Sequence, residues 1–225
     1  MPEVPNGIYP KTHGTVIKGP DIELPKAQGF LQNIDILKNN SSQGAVSAPV
    51  DVDNLVRQIP LIQQTPDGWV ASFGTEVLKI LGGGNTYQII TNENGIEMIR
   101  VRGLEPIPTD SYGRKWISWV DTPQTTLDNL DVKGKFVFVG FTAKGISNQL
   151  ATPVGLLEPH KIQAALAESI LLDTPQIPDY RLIVELFILC VSGLLIALVI
   201  NYFGMTLSLL LAGGLFASVG YLGYY

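Results

Sequence analysis

The stretch LIVELFILCVSGLLIALVI, Leu182 to Ile200, carries a single charge, Glu185, near its start. After Asn201-Tyr202-Phe203-Gly204 a second run, Met205 to Tyr225, carries none. A helix rises about 1.5 Å per residue, so each run reaches roughly 30 Å, the thickness of the hydrocarbon core of a bilayer. The pattern predicts a transmembrane hairpin of two helices, 182–200 and 205–225, with a tight turn at Asn201–Gly204. Gly204 suits the left-handed end of a helix, and Asn201 and Tyr202 suit an interface. In the second run Gly213 and Ala217, and Gly214 and Ser218, lie four apart on shared faces. Small residues at that spacing let helices approach closely in lipid, although membrane helices are rich in them in any case. Cys190, in mid-membrane, reads as an inert apolar residue.

The rest of the composition bounds the partners. Among 225 residues, 15 basic and 20 acidic side chains give a net charge of −5 with no basic stripe, which argues against nucleic acid. One cysteine excludes an internal disulfide and a cysteine-ligated metal. The residues before the membrane, 1–180, suffice for one domain with a real core. MPEVPNGIYP at the amino end has neither a basic nor an apolar region of the kind that makes a signal peptide. A domain outside the cytoplasm would then owe its placement to something upstream or to a partner.

Within 1–180, Met1 to Asn40 is interrupted by five prolines and predicts loops, with a short strand at Thr15-Val16-Ile17 and a helical turn or two within Ala27–Leu37. Gly44–Val50 and Leu55–Ile62 read as two strands of a hairpin around Asp51-Val52-Asp53-Asn54. That centre has calcium-like oxygen ligands, but the turn glycine and closing glutamate are missing, so Asp51, Asp53 and Asn54 are read as a structural turn and no metal is expected. Trp69 to Leu81 has helical spacing and ends at Gly82-Gly83-Gly84, with no Lys-Ser or Lys-Thr to make a phosphate loop. Tyr87–Ile90 and Glu97–Val101 flank Asn94-Gly95, the mark of a hairpin. Trp116–Val120 predicts another strand. Phe136-Val137-Phe138-Val139, ending at Gly140, reads as a strand buried on both faces of a mixed sheet. A loop through Thr142, Lys144, Gly145 and Thr152 follows, then a helix opened by Pro159 with Ile162, Ala165, Leu166, Ser169 and Ile170 on one face. Gly140 and Gly145 fit a ligand loop at the carboxyl edge of a sheet, and equally a loop that merely needs shape. The fold class is thus α/β: a mixed-sheet domain followed by the membrane hairpin.

Gly134-Lys135-Phe136-Val137-Phe138-Val139-Gly140-Phe141-Thr142-Ala143, Thr152-Pro153 and the helix from Pro159 resemble the closing half of a CHASE domain of the second type. Asp51-Val52-Asp53-Asn54-Leu55-Val56-Arg57 is similar to its Asp-x-Asp-Gly-x-x-Arg segment. The resemblance covers roughly Gly44 to the end. It implies an extracytoplasmic sensory domain of a bacterial membrane receptor, followed by membrane helices and then a cytoplasmic output. Three departures stand out. Asn54 replaces the usual glycine, a change the left-handed backbone tolerates. Gln163-Ala164 replaces a common His-Ala, with His160 off register and read as a solvated residue. The family's opening helix and output domain have no counterpart, which points to a fragment or to a short form completed by another chain.

The expectation is therefore a non-enzymatic sensory or ligand-binding module on the outer side of a bacterial cytoplasmic membrane, with an unknown small-molecule ligand and no assigned cofactor. The ligand would meet Thr142, Lys144 and Thr152, with Arg57 as an anion partner. Partners are the lipid bilayer and a second copy or other membrane-protein chains. A structural subunit of a membrane assembly is the other reading, because an open sheet edge invites pairing with another chain. Hydrolysis is disfavoured, since there is no Gly-x-Ser-x-Gly elbow and only His13 and His160 could serve as a base. The uncharged loop Asn201–Gly204 is silent on orientation, and Arg181 mildly opposes an outside domain. The outside placement follows from the resemblance.

Overall fold

The computed structural model describes residues 15–20, 22, 33–38, 40–65, 68–84, 86–119, 123–125, 132–143, 148–178 and 180–224. Its elements are β1 (Thr15–Lys18), α1 (Asp35–Lys38), β2 (Gln58–Pro60), β3 (Ile62–Thr65), β4 (Gly68–Ala71), α2 (Phe73–Leu81), β5 (Tyr87–Asn92), β6 (Gly95–Val101), β7 (Ile107–Pro108), β8 (Arg114–Trp116), β9 (Leu150–Thr152), β10 (Gly155–Leu157), α3 (Pro159–Leu171) and α4 (Arg181–Tyr224). The chain divides into two units, Met1–Ile177 and Pro178–Tyr225.

The first unit is mixed α/β. Its largest sheet has the order β1-β5-β6-β7, with β1 parallel to β5 and the other pairs antiparallel. The β5–β6 hairpin forms where Asn94-Gly95 predicts it. The Asn92 side chain accepts the Asn94 N–H at 2.8 Å, and Gly95 takes a φ of +136°. Side chains alternate inward, so Tyr87, Ile89, Ile99 and Val101 are buried beside Ile59, Leu61, Leu78, Ile162 and Leu166.

Several elements differ from the sequence reading. Gly44–Val50 makes no strand: Ala45 alone bridges to Ser72, Pro49 has no N–H to give, and Val46 and Val50 are exposed. β2 pairs instead with β8, which spans only Arg114–Trp116. Trp69 to Ala71 is a strand paired with β3, and the helix begins later, at Phe73. Ser72 decides that boundary, because its hydroxyl accepts the Thr75 N–H at 3.4 Å as a helix cap. The buried side of α2 holds Glu76, made tolerable by Lys79 at 2.6 Å and by the Tyr87 hydroxyl, which donates at 2.5 Å. Burial, then the bond to Glu76, push the Tyr87 pKa far up.

The expected two-faced strand at Phe136–Val139 is absent. The described residues 135–140 join no ladder, and Val139 is 83 % exposed. Phe138 alone packs inward, edge-on to Phe73 at 5.8 Å. The places beside the central hairpin are taken by β1 and β7, so this apolar run has no pair of neighbours to cover it.

α3 follows its sequence pattern. Ile162, Leu166 and Ile170 are buried, each contributing about 1.5–3 kcal/mol. That outweighs the missing side-chain cap at Glu158, about 1 kcal/mol.

The second unit holds α4, which runs unbroken for 44 residues. The predicted turn at Asn201–Gly204 is helical instead, since the segment contains no proline and a lone glycine costs a helix only about 1 kcal/mol. One part, Arg181–Tyr202, is long and apolar enough to cross a membrane. Its only acid is paired, with Arg181 Nε 2.5 Å from Glu185.

Candidate functional site

The residues singled out by sequence lie in separate places. The Asp51–Arg57 segment closes on itself: Asn54 donates to the Asp51 carbonyl at 2.9 Å, Asp51 donates to the Leu55 carbonyl at 2.9 Å, and Asn54 holds a φ of +62°. Arg57 grips Asp53 with both terminal nitrogens, at 2.8 and 2.6 Å, and reaches Asp51 at 3.2 Å. These charge-assisted bonds hold the Asp53 carboxyl down to about 2 and push the Arg57 pKa up. Arg57 thus stands against the two carboxylates where a metal cation would, and any external anion would compete with both.

Thr152 is buried and its hydroxyl donates to the Gly155 carbonyl at 2.7 Å, within its own β9–β10 hairpin. Thr142 is exposed, and Lys144 and Gly145 lie outside the described residues. Gly140 meets the start of α3, where a Cβ would stand 2.1 Å from the His160 ring. His160 is accordingly half-buried rather than solvated, and burial lowers its pKa against the opposing pull of Glu158. In α4, Gly213 and Gly214 have nothing within 4 Å of a built Cβ, and the side chains of Ala217 and Ser218 lie outside the described residues.

Gln163, noted for standing in place of a histidine, is fully buried and accepts the Gly74 N–H through its side-chain oxygen at 3.0 Å. A neutral imidazole nitrogen can accept the same bond, so the substitution retains an acceptor type suited to joining α3 to α2.

None of the expected ligand residues lines the cavity of about 370 Å³ that opens between the segment after β6, β8 and the end of α3. Its walls include Leu104, Glu105, Ile107, Lys115, Ile170 and Asp173. Lys115 is placed by strand alternation: Gly113, Lys115 and Ile117 face in, while Arg114, Trp116 and Ser118 are half-buried. Lys115 is 1 % exposed, and its ammonium donates to the Thr174 carbonyl at 2.5 Å. Burial lowers its pKa and the nearby Asp173 carboxylate opposes that shift. The Gln176 side chain ties the same segment to β8, accepting from Trp116 N–H at 3.2 Å and donating to the Arg114 carbonyl at 3.3 Å. A ligand-sized hollow with apolar walls, a buried ammonium and two carboxylates can bind a small polar molecule. The sequence offered a faint signal, a lysine at the phase of Ile117 and Trp119, but Trp116 and Val120 make the opposite phase apolar as well.

Comparison with known families gives one match: the model of the CHASE2 domain, over residues 10–199. No curated protein and no solved structure matches the chain.

Proposed function

The chain belongs to the CHASE2 family of extracellular sensory domains, and from that premise we propose that it is the ligand-binding module of a bacterial membrane receptor, carried on the outer side of the cytoplasmic membrane. The observation that carries this reading is the family match, running from residue 10 through the domain and into the apolar helix, to residue 199. The module is non-enzymatic. Its cavity is lined by Asp173 and by Lys115, which holds the Thr174 carbonyl a few residues before that helix, so a ligand that favours one arrangement of this segment shifts the population passed on to the membrane. In lipid we take α4 to fold back at Asn201–Gly204, because 44 residues of helix reach about 66 Å against a core of about 30 Å. A carboxyl-terminal tag reached from the same side as the domain in sealed vesicles would support the fold-back, and one on the opposite side would exclude it.

The test of the sensory reading is a thermal-unfolding screen of the full chain in detergent against a metabolite library. At least one compound is expected to raise the midpoint, as binding to the folded state requires.

A structural subunit, paired with a second copy or with other membrane-protein chains, is favoured by one observation. Phe136, Val137, Val139 and Phe141 are all exposed, and the described backbone there joins no ladder. Purification from native membranes separates the readings. Stable, stoichiometric unlike chains, with no stabilising ligand, would replace the sensor by the subunit.

A further inference from the structure

We propose that the cavity beside Lys115 binds a small zwitterion with an apolar body, of the α-amino-acid type, its carboxylate on the Lys115 ammonium and its ammonium on Asp173 and Glu105. This rests on the sensory reading above and names the ligand class of that module.

The polar groups select it by charge. A lysine ammonium has three N–H donors and no acceptor. Lys115 is almost wholly buried and has one bonded acceptor among the described residues, the Thr174 carbonyl. Its remaining donors call for oxygen, since a buried donor left unpaired is costly. A carboxylate supplies that oxygen in the strong, charge-assisted form. Asp173 and Glu105, both exposed, line the same hollow; Asp173 acts on Lys115 through its charge alone, and neither carboxylate has a hydrogen bond or ion pair to the described residues. A simple carboxylic acid would satisfy Lys115 but face two carboxylates. A simple amine would satisfy the carboxylates and leave Lys115 short of acceptors. A zwitterion meets both demands. Leu104, Ile107 and Ile170 supply an apolar wall, and about 370 Å³ lies at the small end of ligand pockets. Because Lys115 also holds Thr174, the occupant's carboxylate shares one ammonium with the segment that leads to α4.

The experiment uses the full chain in detergent, with L-valine and L-leucine as probes and two controls: isocaproate, which lacks the ammonium, and isoamylamine, which lacks the carboxylate. An L-amino acid is expected to raise the unfolding midpoint and to bind about tenfold or more tighter than either control. Asp173→Asn, at an exposed position, should cut the advantage of the amino acid over isocaproate. Lys115→Met should abolish binding, and if that variant does not fold, Asp173→Asn decides. Equal binding of zwitterion and isocaproate, no binding of any probe at millimolar concentration, or amino-acid binding indifferent to Asp173→Asn overturns the proposal. A library compound that stabilises the chain regardless of Asp173 overturns it while leaving the sensory reading intact. The absence of any stabilising compound, with obligate unlike subunits, removes both.

Discussion

Gly74 lies in the first turn of α2, where alanine would ordinarily gain about 1 kcal/mol of helix propensity. Here a Cβ would stand 2.8 Å from the Gln163 carbonyl oxygen and 3.4 Å from a Leu166 methyl, and the first of these is backbone of α3. Overpacking should therefore win. Gly74→Ala is expected to lower stability by about 1–3 kcal/mol, read as a lower urea midpoint at unchanged slope. An equal or higher midpoint would mean that the two helices do not meet so closely. Acid stability is also set at single residues. Lys161, with help from Gln149, holds Glu158 at about 2 against an ordinary 4.5, and Arg57 holds Asp53 at about 2 against 3.8. Both folded-state values are depressed, so each contribution is complete above the unfolded values and disappears as pH falls through the folded ones. The unfolding midpoint should drop between about pH 5 and pH 2, and Glu158→Gln should flatten that slope. An unchanged slope would remove Glu158 from the account.

Among elements, the segment after α3 is the one whose attachment can be tested without disturbing the core. Gln176 makes two bonds to the backbone of β8. Gln176→Ala should cost about 1–2 kcal/mol and speed exchange of the Trp116 amide, leaving the β5–β6 hairpin as protected as before. Uniform loss of protection would show instead that the segment has no local role. The same scale shows what sequence can and cannot say. The β5–β6 hairpin was legible because Asn94-Gly95 specifies a turn from neighbouring residues alone, and α3 because Pro159 and one apolar face do the same. Trp69–Ala71 was misread because Val70, Phe73 and Val77 satisfy a helical period that Ser72 in fact begins anew. Phe136–Val139 was misread because a continuous apolar run implies two covered faces only if strands flank it. The cavity was not legible, since its walls come from 103–107, 115 and 170–173, segments that meet only through tertiary packing.

For the whole chain, on the membrane reading proposed above, the open quantity is how many times α4 crosses lipid, and length decides what to expect. Arg181–Tyr202 is 22 residues, about 33 Å of helix, enough for one pass on its own. The remainder, from Phe203 on, is as long again and uncharged, and a straight continuation would push it out of the hydrocarbon into water. Exposing that many apolar side chains costs far more than opening a helix at Asn201–Gly204, where a few backbone bonds would be exchanged for water at an interface. Ending the chain after Tyr202 should therefore leave it in the membrane through an alkaline wash while moving a carboxyl-terminal tag to the opposite face from that of the full chain. A tag on the same face in both chains would mean that the fold-back does not occur. Release of the full chain by the wash, without detergent, would remove the anchor itself, and with it the route by which a ligand at Lys115 could be felt across the bilayer.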